Sequence, residues 1–171
     1  MSTAQSPSQT IGPMYGFALY ESGMEHAVDP GTPGAVTIEG FLLDGDGEPI
    51  AYPDAMIEVW QGEQFARSRT DPFGTWRVHV RKPTAAEMPR LPDGEPQAPH
   101  LNVTIWARGL MKQAVTRVYF PDEGDANAAD PVLALVDPQR RFLLVGQEQA
   151  AGVLRFDIHV QGEHEAVFFD F

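Results

Sequence analysis

The sequence predicts an all-β fold, a two-sheet antiparallel β-sandwich with long loops and little helix. Two observations lead there: short segments in which apolar and polar residues alternate with a period of two, and clusters of Gly, Asp and Pro between them. A third is the stretch from Pro83 to Pro99, which carries five prolines and no alternation and therefore reads as one long loop.

Taken in order, Val36 to Leu43 is rich in β-forming residues and is followed by Asp44-Gly-Asp-Gly-Glu-Pro49, whose Gly and Asp chemistry suits a tight turn. The simplest expectation is a hairpin with the next strand, Ala55 to Trp60, where Ala55, Ile57 and Val59 alternate with Met56, Glu58 and Trp60. Thr70 to Gly74 makes another turn. Trp76, Val78 and Val80 then alternate with Arg77, His79 and Arg81 until Lys82-Pro83 ends the strand, because proline cannot donate to a ladder. His100 to Arg108 and Ala114 to Phe120 read as strands, Asp122 to Asp130 as a loop or short helix, and Pro131 to Val136 as its irregular continuation. Gly152 to Val160 is expected as one strand, with Leu154, Phe156, Ile158 and Val160 on one face. The chain closes on Ala166-Val-Phe-Phe-Asp-Phe171, an apolar run that needs cover from water.

A chain of 171 residues can bury a real core as one domain, so residues 1–171 are expected as a single unit, with residues 1–13 as an extended N-terminal arm. No apolar run approaches the length that crosses a bilayer, and Met1 to Thr10 lacks both the basic start and the apolar middle of a secretory signal; the expectation is a cytoplasmic chain without membrane insertion. The lack of cysteine excludes disulfides, thiolate metal sites and cysteine nucleophiles. A net charge of −12 with scattered basic residues argues against a nucleic-acid partner.

Leu101, Val103, Ile105 and Ala107 fall on one face of an extended chain, and His100, Asn102, Thr104, Trp106 and Arg108 on the other. A His-x-His pair there would aim two imidazoles at one point, a good way to hold a metal, but the second imidazole is replaced by Asn102. A lone His100 is by itself more often a strand-end ring bonded to a carbonyl. The other histidines, His26, His79, His159 and His164, show no spacing a metal would require and read as surface or turn residues. Arg108, beside Gly109 where the strand gives way to loop, is either a solvated charge or a clamp for an organic carboxylate. No Gly-x-Ser-x-Gly, His-Glu-x-x-His or phosphate-binding glycine loop is present. Asn102-Val-Thr104 matches a glycosylation acceptor but lies within a strand, and we read it as coincidence.

Gln9-Thr-Ile-Gly-Pro13, Asp44 to Trp60, Asp71 to Pro83, Ala98-Pro-His100, Arg117-Val-Tyr-Phe-Pro-Asp122, Arg155 to Gly162 and the final Val167-Phe-Phe-Asp-Phe171 together resemble the intradiol ring-cleaving dioxygenases. The resemblance runs from about Gln9 to the last residue and implies a prealbumin-like sandwich. Within that family it points to the two-chain enzymes that cleave protocatechuate with dioxygen to 3-carboxy-cis,cis-muconate, on the beta-ketoadipate route of aromatic degradation. There the catalytic beta chain is implied to hold ferric iron with two tyrosinates and two histidines. This sequence keeps His100, has Asn102 at the second histidine position, and has no tyrosine between Trp60 and Pro83 or between Lys82 and Pro99, where the phenolate ligands would fall.

The resemblance therefore implies a chain with no catalytic residue and no metal of its own, the ferric iron being bound by the partner beta chain, with His100 and Asn102 as degenerate metal-site positions. It also implies that Thr10, Gly12 and Pro13 line the partner's substrate pocket and that Arg108 lies near the substrate or its approach. Glycine allows close backbone approach to a flat ring, proline stiffens it, and arginine suits a substrate carboxylate. Asn102 is expected to bond His100 or the loop that replaced the ligand segment. Two other classes are kept open. Val36 to Pro83 also resembles prealbumin-like binding modules, which would leave Gln97 to Phe171 unexplained. A self-sufficient metalloenzyme using His100 with Glu87 or Asp93 lacks a second histidine at a suitable spacing.

Overall fold

A computed structural model of the chain describes residues 7–170. Residues 1–6 of the expected N-terminal arm and Phe171 of the apolar ending lie outside the described residues. Among the described residues nine strands form two sheets: β1 (Ala35–Leu43), β2 (Ala55–Gln61), β3 (Gln64–Arg69), β4 (Thr75–Arg81), β5 (His100–Ala107), β6 (Ala114–Tyr119), β7 (Gln147–Ala150), β8 (Val153–Arg155) and β9 (Ile158–His159). One sheet has the order β4-β1-β8-β7 with β9 also on β1, and the other the order β3-β2-β5-β6. Helix is confined to short pieces, α1 (Tyr15–Ala18), α2 (Gly124–Ala129) and α3 (Pro131–Leu135), with 3₁₀ turns at Ala85–Glu87 and Arg141–Leu144. This is the sandwich class the sequence predicts, and β1 additionally carries two parallel partners, β8 and β9.

The core lies between the sheets. Ile38, Leu42, Trp76, Val78, Leu154 and Ile158 from one meet Ile57, Val59, Leu101, Val103, Ile105 and Val118 from the other, each fully or almost fully buried. Each such side chain contributes about 1.5–3 kcal/mol from burial. Among the described residues no helix is long and apolar enough to cross a membrane.

Two local expectations change, and one strand appears where none was expected. β1 and β2 are not hairpin partners: Asp44 turns the chain back only as far as Ile50, whose N–H donates to Leu42 O at 2.9 Å, and the chain then crosses to the other sheet. Both edges of β1 are already occupied, by β4 on one side and β8 and β9 on the other. The strand expected over residues 152–160 is broken at Phe156-Asp157. There Phe156 O presses against Gly40 so closely that a Cβ on Gly40 would lie 1.9 Å from it, and the Asp157 carboxylate accepts the Phe41 N–H at 2.7 Å. Finally, Gln64–Arg69 forms a strand whose buried positions are the small Ala66 and Ser68, while Phe65 points outward.

The outer face of the second sheet is also covered. The 83–99 loop, α2 and α3 and the chain ending lie over it, with Ala98, Tyr119, Leu133 and Leu144 as a second buried cluster. The apolar ending finds its cover here: Phe169 N–H donates to Val115 O at 2.8 Å and the Thr116 hydroxyl to Val167 O at 2.7 Å.

Candidate functional site

β5 carries the candidate residues at both ends. Its alternation places Leu101, Val103 and Ile105 in the sandwich core and His100, Asn102 and Thr104 on the outer face, yet all six are buried, because that outer face is the covered one. On that face Asn102 stands opposite Trp60 of β2 and Arg117 of β6, and His100 opposite Tyr119.

His100, Asn102 and Arg117 border a cleft of about 690 Å³. His100 is 1% exposed, and its Nδ1 lies 2.9 Å from Ala98 O, a contact that fixes Nδ1 as the protonated nitrogen of a neutral ring. Burial, helped by the Arg117 charge, lowers its pKa to about 4. The Asn102 amide donates to Gln61 Oε1 at 3.0 Å, so the bond expected to His100 or to the loop is made instead to the end of β2. Arg117 Nη1 donates to Gln97 Oε1 at 2.9 Å and to the Tyr119 hydroxyl at 3.3 Å, and that hydroxyl reaches Asp130 Oδ1 at 3.3 Å. Burial raises the Tyr119 pKa to about 12, which keeps the phenol protonated.

These residues do not fit the ferric iron that the family resemblance implies. A hard trivalent ion calls for anionic oxygen donors, whereas this position offers one imidazole, a neutral amide and a protonated phenol, with a guanidinium directly opposite Asn102. Glu87, at the edge of the cleft, is bound to Arg81 at 2.6 Å and to Thr84 at 2.7 Å, and Asp93 is held in its own turn by the Glu95 N–H. Among the described residues no group of three or more His, Asp or Glu side chains is gathered as a metal site requires.

Arg108 lies at the other end of β5, about 26 Å along the strand from His100. Its side chain is 70% exposed; its N–H donates to Asp54 O at 2.7 Å and its Nη1 lies 3.5 Å from Asp54 Oδ2. The arm comes to the same place. The Thr10 hydroxyl lies 3.5 Å from Ala107 O, and five residues on, Tyr15 is buried with its hydroxyl donating to Ala55 O, the residue paired with Ala107. Burial, with Tyr52 nearby, raises the Tyr15 pKa to about 12. Gly12 takes a left-handed φ of +66° with open space around it, and Pro13 is exposed. Thr10 and Arg108 thus both adjoin Ala107, and Gly12 and Pro13 lie between Thr10 and the anchor at Tyr15.

The remaining histidines associate in pairs, which their spacing in the chain conceals: the His26 and His79 rings stack at 4.7 Å, and His159 and His164 meet edge to face at 5.7 Å. Asn102, at 7% exposure, is out of reach of glycosylation. Sequence reasoning passed over Gln61, Asp54 and above all Arg117. The available signal for Arg117 was a lone cation in the middle of an otherwise apolar strand, Val115-Thr-Arg-Val-Tyr-Phe120.

No family model matches the chain. Curated relatives do. The protocatechuate 3,4-dioxygenase alpha chain of Pseudomonas putida is 35% identical over 199 aligned residues, covering 98% of this chain and 96% of that one. The alpha chain of the same name from Burkholderia cepacia is 38% identical over 195, covering 97% of each. Among solved structures, the dioxygenase domain of a dioxygenase and carbohydrate-binding fusion protein from Streptomyces sp. SirexAA-E superposes with a TM-score of 0.60 at 21% identity, covering 92% of this chain and 99% of that one. Hydroxyquinol 1,2-dioxygenase from Pseudomonas putida DLL-E4 gives 0.55 at 19%, covering 93% and 67%; at these identities the likeness concerns the fold.

Proposed function

Because the chain belongs to the family of protocatechuate 3,4-dioxygenase alpha chains, we propose that it serves as the alpha subunit of an intradiol dioxygenase that cleaves protocatechuate with dioxygen to 3-carboxy-cis,cis-muconate. In this reading the ferric iron belongs to a partner beta chain, in a hetero-oligomer of alpha-beta pairs, and this chain alone is inactive. The observation that supports it is the donor set around His100 and Asn102, where the neighbouring β6 side chains are a guanidinium and a protonated phenol and no anionic oxygen donor is supplied.

The chain's own contribution is made at the Arg108 end of β5. Thr10, Gly12 and Pro13 supply pocket wall, and Arg108, exposed and only loosely held by Asp54, extends a positive charge toward a substrate carboxylate. The guanidinium fork binds and orients that carboxylate through paired hydrogen bonds, and the glycine and proline backbone lies flat against the ring. No residue of this chain holds or moves a proton in the reaction. The described residues act as one domain, in the bacterial cytoplasm. A stand-alone prealbumin-like binding module accounts less well for the match, which spans nearly the whole chain instead of ending near Pro83.

Protocatechuate-dependent oxygen uptake tests this. The chain alone should give none, and addition of the beta chain should yield activity above that of the beta chain alone; equal activity with and without this chain would refute the subunit role.

A further inference from the structure

Arg117 is a buried cation in search of an anion. It is 7% exposed, and only its Nη1 is engaged, by Gln97 and Tyr119; among the described residues neither Nε nor Nη2 has a hydrogen-bond partner. The Phe169 ring covers the guanidinium at 5.5 Å. The only buried acid among the described residues, Asp130, already accepts from four donors: the N–H groups of Ala98, Val132 and Leu133 and the Tyr119 hydroxyl. Glu87 is committed to Arg81. A buried charge without a direct counter-charge is expensive, and structures retain one where something pairs with it.

The surroundings of the cleft define that partner. Asn102 and Thr104 line it beside Arg117, and His100 presents a neutral ring whose Nε2 has no partner among the described residues. Trp60, Pro89 and Val115 supply flat apolar wall, and the volume of about 690 Å³ lies in the range of small-molecule sites. One guanidinium matches one carboxylate in bidentate geometry, and a single cation with apolar walls favours a monoanion with a flat ring over a phosphate dianion. We propose that this cleft binds a small aromatic carboxylate, its carboxylate on Arg117 and its ring between Trp60 and Val115. The proposal concerns this chain's own cleft and stands independently of the subunit reading.

The test uses the full chain in the assembly in which it is purified. Crystals grown with 4-bromobenzoate should place the bromine, located by its anomalous signal, in the cleft; in solution, 4-fluorobenzoate followed by fluorine NMR should bind and be displaced by benzoate but not by neutral benzamide. Arg117→Met should weaken binding about tenfold or more, the loss of a charge-assisted pair. Val115→Trp, at a partly exposed position, fills the cleft and should abolish binding there even if Arg117→Met fails to fold. A cleft free of bromine while the probe is bound elsewhere, or unchanged 4-fluorobenzoate stoichiometry in Val115→Trp, overturns the proposal.

Discussion

Asn102 and Arg117 are direct cross-strand neighbours on β5 and β6, so the Asn102 amide has a guanidinium beside it. A cation at that distance opposes any added positive ion, and the position lacks phenolates to offset it.

Restoring the missing imidazole should therefore not restore the metal. Asn102→His is expected to take up no more iron than the unaltered chain, as read by metal analysis and visible absorption. A tyrosinate-iron band in that variant would mean that the donor set had been misjudged.

Arg108→Ala separates stability from substrate handling. The side chain is largely exposed and its one ion-pair contact is 3.5 Å long, so the variant's unfolding free energy should change by less than about 0.5 kcal/mol. In the alpha-beta complex kcat/KM for protocatechuate should fall about tenfold, the loss of one charge-assisted hydrogen bond, with iron content unaltered. Unchanged kinetics would remove Arg108 from the pocket.

Much of the fold is legible in the sequence, for reasons that individual residues make plain. Ile57 and Val59, or Val78 and Val80, announce their strands by alternation because one face of each is core. Strand partners are another matter. The Asp44 turn is real, but which strand follows into the same sheet depends on the edges of β1 being filled by segments more than thirty residues away. Gln64–Arg69 hides because its inward residues are small and its aromatic faces out. The site was half visible: the His100-x-Asn102 pattern marked the strand, whereas Arg117 acquires meaning only when β6 is laid against β5.

Gly40→Ala should be among the most damaging single substitutions, since its new methyl would collide with the Phe156 carbonyl rather than with a movable side chain. A loss of more than about 3 kcal/mol, or failure to fold, is expected in urea denaturation; a near-neutral effect would mean that the β1–β8–β9 junction is looser than described.

Tyr15→Phe leaves the Ala55 carbonyl without the hydroxyl that it accepts from in a buried setting, and should cost about 1–3 kcal/mol by the same measurement. It also loosens the arm next to Thr10. An unchanged midpoint would show that the arm is not anchored there.

His100 gives stability a pH dependence of known sign. Its folded pKa, about 4, lies below the ordinary 6.5, so the unfolded chain takes up a proton that the folded chain refuses. Its contribution is whole above pH 6.5, falls by about 1.4 kcal/mol per pH unit as pH drops toward 4, and levels off below. His100→Gln should flatten that part of the unfolding profile, and an identical slope in the variant would contradict the assignment.

The central claim, that this chain works without a metal of its own, is tested most directly by iron content and visible absorption of the chain purified alone and again after mixing with its beta partner. The chain alone should be colourless and iron-free, and the complex coloured, with iron not exceeding one per alpha-beta pair. Tyrosinate-iron colour in the chain by itself would contradict it.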